Sequence, residues 1–240
     1  MATGLPPLEV GPVPPEDAPF DRRAASAWIA LWATVRADPV VAERIRDMLQ
    51  PGAGTRLAGG LAFLVSALRG GKLADWLGTA DSTRIDLPSR PDGRRTVDAE
   101  FRDLARMAQE RGPDGWRAQP LAVLDGGAVQ PVMLYVHRPP RRRKSDPGAD
   151  EASERFMLDL KLSRAGPMRI DGLLRPKALD VIIRTERAVP GRIQRELRRV
   201  FGTALDGAGL AGTLGFQKVD RLPPPPPMTA DGKPHHAVLA

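Results

Sequence analysis

The chain has no cysteine, one tyrosine and three histidines in 240 residues. Without cysteine there is no disulfide framework, no thiolate nucleophile and no Cys-ligated metal. Aromatic residues make up only 5%, which leaves little of the aromatic–basic interleaving on which single-strand nucleic-acid binders stack bases. No stretch approaches the roughly 18 consecutive apolar residues of a membrane span. The start, Met1 to Val10, lacks the basic and apolar segments of a secretory leader, so a cytoplasmic start is expected.

Lysine is scarce too: six of the 36 basic residues, against a net charge of +7. A basic balance can point to an anionic partner. A chain rich in Arg, Ala, Gly and Pro together is more simply read as genome base composition, and nucleic acid is disfavoured as a partner.

Groups that could carry chemistry are few. His235 and His236 lie in a proline-rich tail without the rigid frame that catalysis needs. His137 stands at a strand end beside Arg138 and Pro139, with no carboxylate near it in sequence. Gly207-Ala208-Gly209-Leu210-Ala211-Gly212 spells a dinucleotide fingerprint, but it follows a helix and leads into a strand. The pyrophosphate needs the opposite order, strand then helix N-terminus, so Gly207, Gly209 and Gly212 are read as helix-end and turn residues. Arg69-Gly70-Gly71-Lys72-Leu73 fails as a phosphate loop, with Leu73 where a hydroxyl must hold magnesium. Asp159, Asp171 and Asp180 fall on outward strand positions that solvation explains. No enzymatic activity, cofactor or metal is expected.

What is abundant is proline, 25 residues gathered toward the two ends. Residues 1–20 and 221–240 therefore read as disordered arms, the latter opening with the polyproline run Pro223 to Pro227. Between them, residues 21–111 read as a helical region. Its first helix spans Asp21 to Arg36, with Asp21 as N-cap and Ala24, Trp28, Leu31, Trp32 and Val35 as the apolar face. Two tryptophans one turn apart suit packing against neighbouring helices better than a partner patch. Further helices follow at Val40 to Leu49, around Leu57 to Leu68 and at Lys72 to Leu77. The last, capped by Thr96, runs from Val97 to Arg111.

From Gly112 to residue 220 the pattern is that of an α+β domain. Trp116 to Val123 and Val129 to Arg138 flank the turn Asp125-Gly126-Gly127. Val132, Leu134 and Val136 are expected to face the core, with Met133, Tyr135 and His137 on the other side. Three more strands are read at Phe156 to Leu162, from Met168 and at Leu179 to Ile183. After Pro190 a helix carries Ile193, Leu197, Val200, Phe201 and Ala204 on one side, and Thr213 to Lys218 returns as a strand. The fold class is thus α+β: a helical region, then a small mixed sheet of about five to six strands packed on one amphipathic helix.

Two basic clusters are candidate partner-binding residues. Arg192, Arg195 and Arg199 line the helix opposite its apolar face, where an acidic partner would compete with plain solvation. Arg141, Arg142 and Arg143 lie in a Pro/Gly-rich loop, where charge runs are usually solvated.

The order of these strands and turns resembles a known family. Leu160 and Leu162, then Gly166-Pro167-Met168-Arg169-Ile170-Asp171-Gly172, then Leu179 to Ile183, the helix Ile193 to Leu205, Gly209-Leu210 and Thr213 to Phe216 match in sequence. Over residues 155 to 218 the chain resembles the C-terminal domain of the flagellar hook-length control protein (FliK-type). The resemblance implies a non-enzymatic protein that passes through the flagellar type III export apparatus and contacts the export-gate switch protein. Its implied role is in hook assembly or export substrate switching. A basic binding module for nucleic acid or another anionic partner is the alternative.

Overall fold

The computed structural model describes residues 19–49, 55–78, 93–112, 115–125, 128–138, 153–163, 165–226 and 228. Arg141, Arg142 and Arg143, the proline-rich start and the end of the tail lie outside the described residues. Within them the order is α1 (Pro19–Val35), α2 (Pro39–Leu49), α3 (Thr55–Gly70), α4 (Leu73–Leu77), α5 (Gly93–Gln109), β1 (Trp116–Asp125), β2 (Ala128–His137), β3 (Glu154–Leu162), β4 (Gly166–Arg175), β5 (Ala178–Thr185), α6 (Gly191–Ala208) and β6 (Ala211–Lys218). The α+β class holds: helices first, then one six-stranded sheet in the order β1-β2-β3-β4-β5-β6.

By its internal contacts the chain divides into two compact units. One takes the helices to Ala108 together with Pro120–Val132; the other takes Gln109–Gln119 and everything from Met133 onward. The division thus runs through the β1–β2 hairpin rather than falling at Gly112. In the helical unit Trp28, Leu31, Ile45, Leu64, Leu68, Leu77, Phe101 and Leu104 are fully buried, each at the apolar position of its helical period. Trp28 meets Trp76 edge-on at 5.7 Å, and Trp76 stacks on Phe101 at 6.1 Å. Trp28 and Trp32 are core residues. From Pro120 to Leu124 β1 is buried at every residue, the pattern of a strand covered on both faces. The Trp28 indole Nε1 donates to the Pro120 carbonyl there, at 3.3 Å.

Helix starts differ from the sequence expectation. Asp21 and Thr96 lie inside α1 and α5, whose first turns reach back to Pro19 and Gly93. The side-chain cap is Asp38, whose Oδ1 accepts from the backbone N–H of Val40 at 2.8 Å and of Val41 at 3.2 Å. These are two of the donors a helix start leaves unpaired.

In the second unit β2–β3, β3–β4 and β4–β5 pair antiparallel, and β5–β6 pair parallel. Parallel neighbours need a crossover, and α6 supplies it. Gly209, in the left-handed conformation at φ +64°, ends α6, and the Leu210 N–H reaches back to the Leu205 carbonyl at 3.0 Å. This is the Schellman arrangement. Gly207 lies within the last helical turn, and Gly212 within β6. Gly207 is thus a helix-end residue, as its spacing suggests, but Gly212 is not a turn residue. Gly212 instead allows close approach: a Cβ there would collide with the carbonyl of Leu179, its ladder partner.

Met133 and Tyr135 correct another expectation. Both are buried, whereas Leu134 and Val136 are half-exposed. At β2 the two faces of the sheet have different coverings, and the side of Leu134 and Val136 is the less covered one.

Candidate functional site

Strand register sorts the second unit's side chains into two faces. One face carries the row Leu134, Leu158, Ile170, Ile183 and Phe216, and the row Val136, Phe156, Gly172, Val181 and Leu214. The helix α6 packs on this face, with the Arg198 guanidinium 4.9 Å from the Phe216 ring centroid. Beneath it Val181 and Ile183 are buried. Further along the same rows, Ile170, Leu158, Leu134, Phe156 and Val136 are only half-buried. One helix covers about two strands.

The helix itself is wider in apolar surface than the sheet beneath it requires. Leu205 is buried and Leu197 and Phe201 are half-buried, but Ile193 is 42% and Val200 51% exposed. At 100° per residue Ile193, Val200 and Ala204 stand on the flank opposite Arg198. Arg198 leans over β6, so the opposite flank is turned toward β4. The exposed flank of α6 and the half-buried rows of β2, β3 and β4 lie side by side on this face as an apolar tract, the α6 groove.

The expected cationic residues sit on the outer ridge of this helix and are separated by their bonding. Arg199 is taken up by Glu196, with Nη2 to Oε1 at 2.6 Å and Nε to Oε2 at 3.3 Å. The hydrogen bond from Arg199, and then its charge, hold the Glu196 carboxyl below its ordinary value. Arg192 and Arg195 are exposed, and no hydrogen bond or ion pair joins their side chains to the described residues. Arg192 is the cation on the groove side of the ridge.

The opposite face of the sheet is polar and closed on itself. Arg169 holds Asp159 with both arms of its fork, Nε to Oδ1 and Nη2 to Oδ2 each at 2.6 Å. Arg184 bonds Asp171 and gives its Nε to Gln217 at 3.0 Å. Asp180 takes Arg175 and accepts from the Thr213 N–H at 3.1 Å and hydroxyl at 2.7 Å. The Thr213 hydroxyl is the foremost cause of an Asp180 carboxyl held below its ordinary value. The three aspartates are therefore not merely solvated, as their alternation suggests, but engaged by arginines across the ladder. Carboxylates used in this way hold strands together. His137 packs its ring 5.1 Å from that of Trp116.

In the helical unit, Gly71, Lys72, Leu73, Ala74, Asp98 and Arg102 line an open depression of about 360 Å³. Its Arg102 Nε is spent on the Asp98 carbonyl at 3.0 Å. Among the described residues no group of three or more His, Asp or Glu is placed to hold a metal ion, and no helix is long and apolar enough to cross a membrane.

No family model, no curated protein and no solved structure matches the chain.

Proposed function

We propose that the chain is a non-enzymatic protein-interaction module whose groove between α6 and strands β2 to β4 takes an amphipathic helix of a partner protein. The observation that supports this is the exposure of Val200 and Ile193 beside a half-covered aliphatic sheet face. Helix-in-groove recognition places apolar anchors at i, i+3, i+4 and i+7 into such a surface. The exposed Arg192 at the rim favours a partner whose helix carries acidic residues beside its apolar stripe.

The resemblance to the hook-length control family gives this partner a candidate identity, the flagellar export-gate switch protein. In that reading the chain starts in the cytoplasm, passes through the flagellar export apparatus, and acts in hook assembly or export substrate switching. The test is a titration of the full chain with the cytoplasmic domain of that protein, beside the Ile193→Asp and Val200→Asp variants. Binding in the micromolar range, weakened at least tenfold by either substitution, is expected. Absence of binding by the parent chain would remove the flagellar reading.

Exposed Arg192 and Arg195, with a net charge of +7, supply a second reading as a module for an anionic partner. It predicts nucleic-acid binding that falls steeply with salt. Weak salt dependence together with sensitivity to Val200→Asp favours the groove.

A further inference from the structure

The face of the sheet opposite α6 has a ligand from its own chain. After β6 the backbone stays on β5 as far as Val219, whose N–H donates to the Thr185 carbonyl at 3.0 Å. It then reaches β4, two strands from where it started, because the Pro224 carbonyl accepts from Nη1 of Arg169 at 3.4 Å. Neighbouring strands are about 4.8 Å apart, so Leu222 to Pro224 passes over β5 on the polar face.

Three features suit this place to proline. Arg169 is 3% exposed although it stands at the centre of a polar face, and its fork leaves one nitrogen free of Asp159. A polyproline backbone has carbonyl acceptors and no N–H donors. A donor-only guanidinium is the complementary partner, and Asp159 holds it in position. Along the segment Leu222, Pro225, Pro226 and Met228 are half-buried, while Pro223 and Pro224 are exposed. Three residues per turn is the period of a polyproline II helix, which places Leu222, Pro225 and Met228 on one edge. Such a segment loses little entropy on binding because it is stiff beforehand.

We propose that this face is a binding site for proline-rich extended segments with apolar residues three apart, and that the segment from Leu222 to Pro226 occupies it in cis. The site lies on the other side of the sheet from the α6 groove and does not depend on what binds there. Its ligand is exchangeable: once the chain's own segment is weakened, a segment of the same chemistry takes its place.

The test uses the full chain and a variant with Pro223→Gly, Pro224→Gly and Pro225→Gly, reading hydrogen exchange at the Arg169 side-chain Nη1, the nitrogen that meets Pro224, by NMR. Exchange is expected to speed up about tenfold in the variant. A synthetic peptide of residues 222–228 restores the protection saturably, while the same peptide with the three glycines does not. An unchanged Arg169 exchange rate in the variant overturns the proposal, as does failure of the proline peptide to restore protection. The Val200→Asp chain serves as control and keeps the parent exchange rate, which separates this site from the groove.

Discussion

The ring of Phe156 lies over Gly172, its direct partner across the β3–β4 ladder. A Cβ at position 172 would meet three atoms of that ring, one of them at 2.7 Å. Glycine inside a strand normally weakens it, and here an aromatic ring covers the gap that glycine leaves. Gly172→Ala is expected to lower stability by about 1–3 kcal/mol, the usual cost of overpacking. Phe156→Leu in the same chain should recover part of that loss. Urea denaturation of the two single variants and the double variant measures the coupling; strict additivity would mean the ring does not depend on the glycine.

Arg169 and Asp159 form the buried ion pair of the polar face. Burial opposes the charge on Arg169, but the hydrogen bond and the charge of Asp159 hold its pKa above the ordinary arginine value. Arg169→Leu leaves the carboxylate unpaired and is expected to cost roughly 3 kcal/mol, the low end for a broken buried pair. The low end applies because the Asp159 side chain keeps 21% exposure. Arg169→Leu with Asp159→Leu should cost less than Arg169→Leu alone. Equilibrium unfolding of the pair of variants decides it.

Asp38 caps α2 through two backbone N–H groups. Asp38→Ala is expected to destabilise the helical unit by about 1 kcal/mol, and Asp38→Asn by much less. The difference between them in thermal melts isolates the cap from the loss of charge.

Glu100 on α5 has its carboxyl pushed above the ordinary value, first by burial and then by the charge of Asp103. A folded-state pKa above the unfolded one means the ionised form is disfavoured in the folded chain. The penalty is therefore complete above the folded value and disappears below the unfolded one. Glu100→Gln should raise the melting temperature at neutral pH, with the advantage fading as pH falls through the carboxylate range. An advantage that persists at the acid end would point to packing instead of charge.

Much of this fold is legible in the sequence because apolar periodicity is local. The 3.6-residue repeat through Val97, Phe101, Leu104 and Ala108, and the alternation from Phe156 to Leu162, give the right elements in the right order. Helix ends are less legible. Asp21, Asp38 and Thr96 are all good capping types, and which one caps depends on where the backbone begins to turn. The groove was hidden for a different reason. Periodicity shows that Ile193 and Val200 share the apolar side of α6, but not how many strands that side will find beneath it. The polar ladder left a signal that could have been used. Asp159 and Arg169 stand directly opposite each other across β3 and β4, and Asp171 and Arg184 lie diagonally across β4 and β5, positions from which cross-strand ion pairs form. A single strand read alone shows only outward polar positions.

The parallel pairing of β6 with β5 also sets an order of assembly. Strands β2 to β5 can zip up through antiparallel neighbours, whereas β6 must wait until α6 has folded and crossed over. Until then β5, with Val181, Ile182 and Ile183 at its centre, is an unpaired sheet edge of high β-propensity, the kind that recruits other chains. A chain stopped before Ala211 would keep that edge permanently, and self-association at β5 is the hazard it would face.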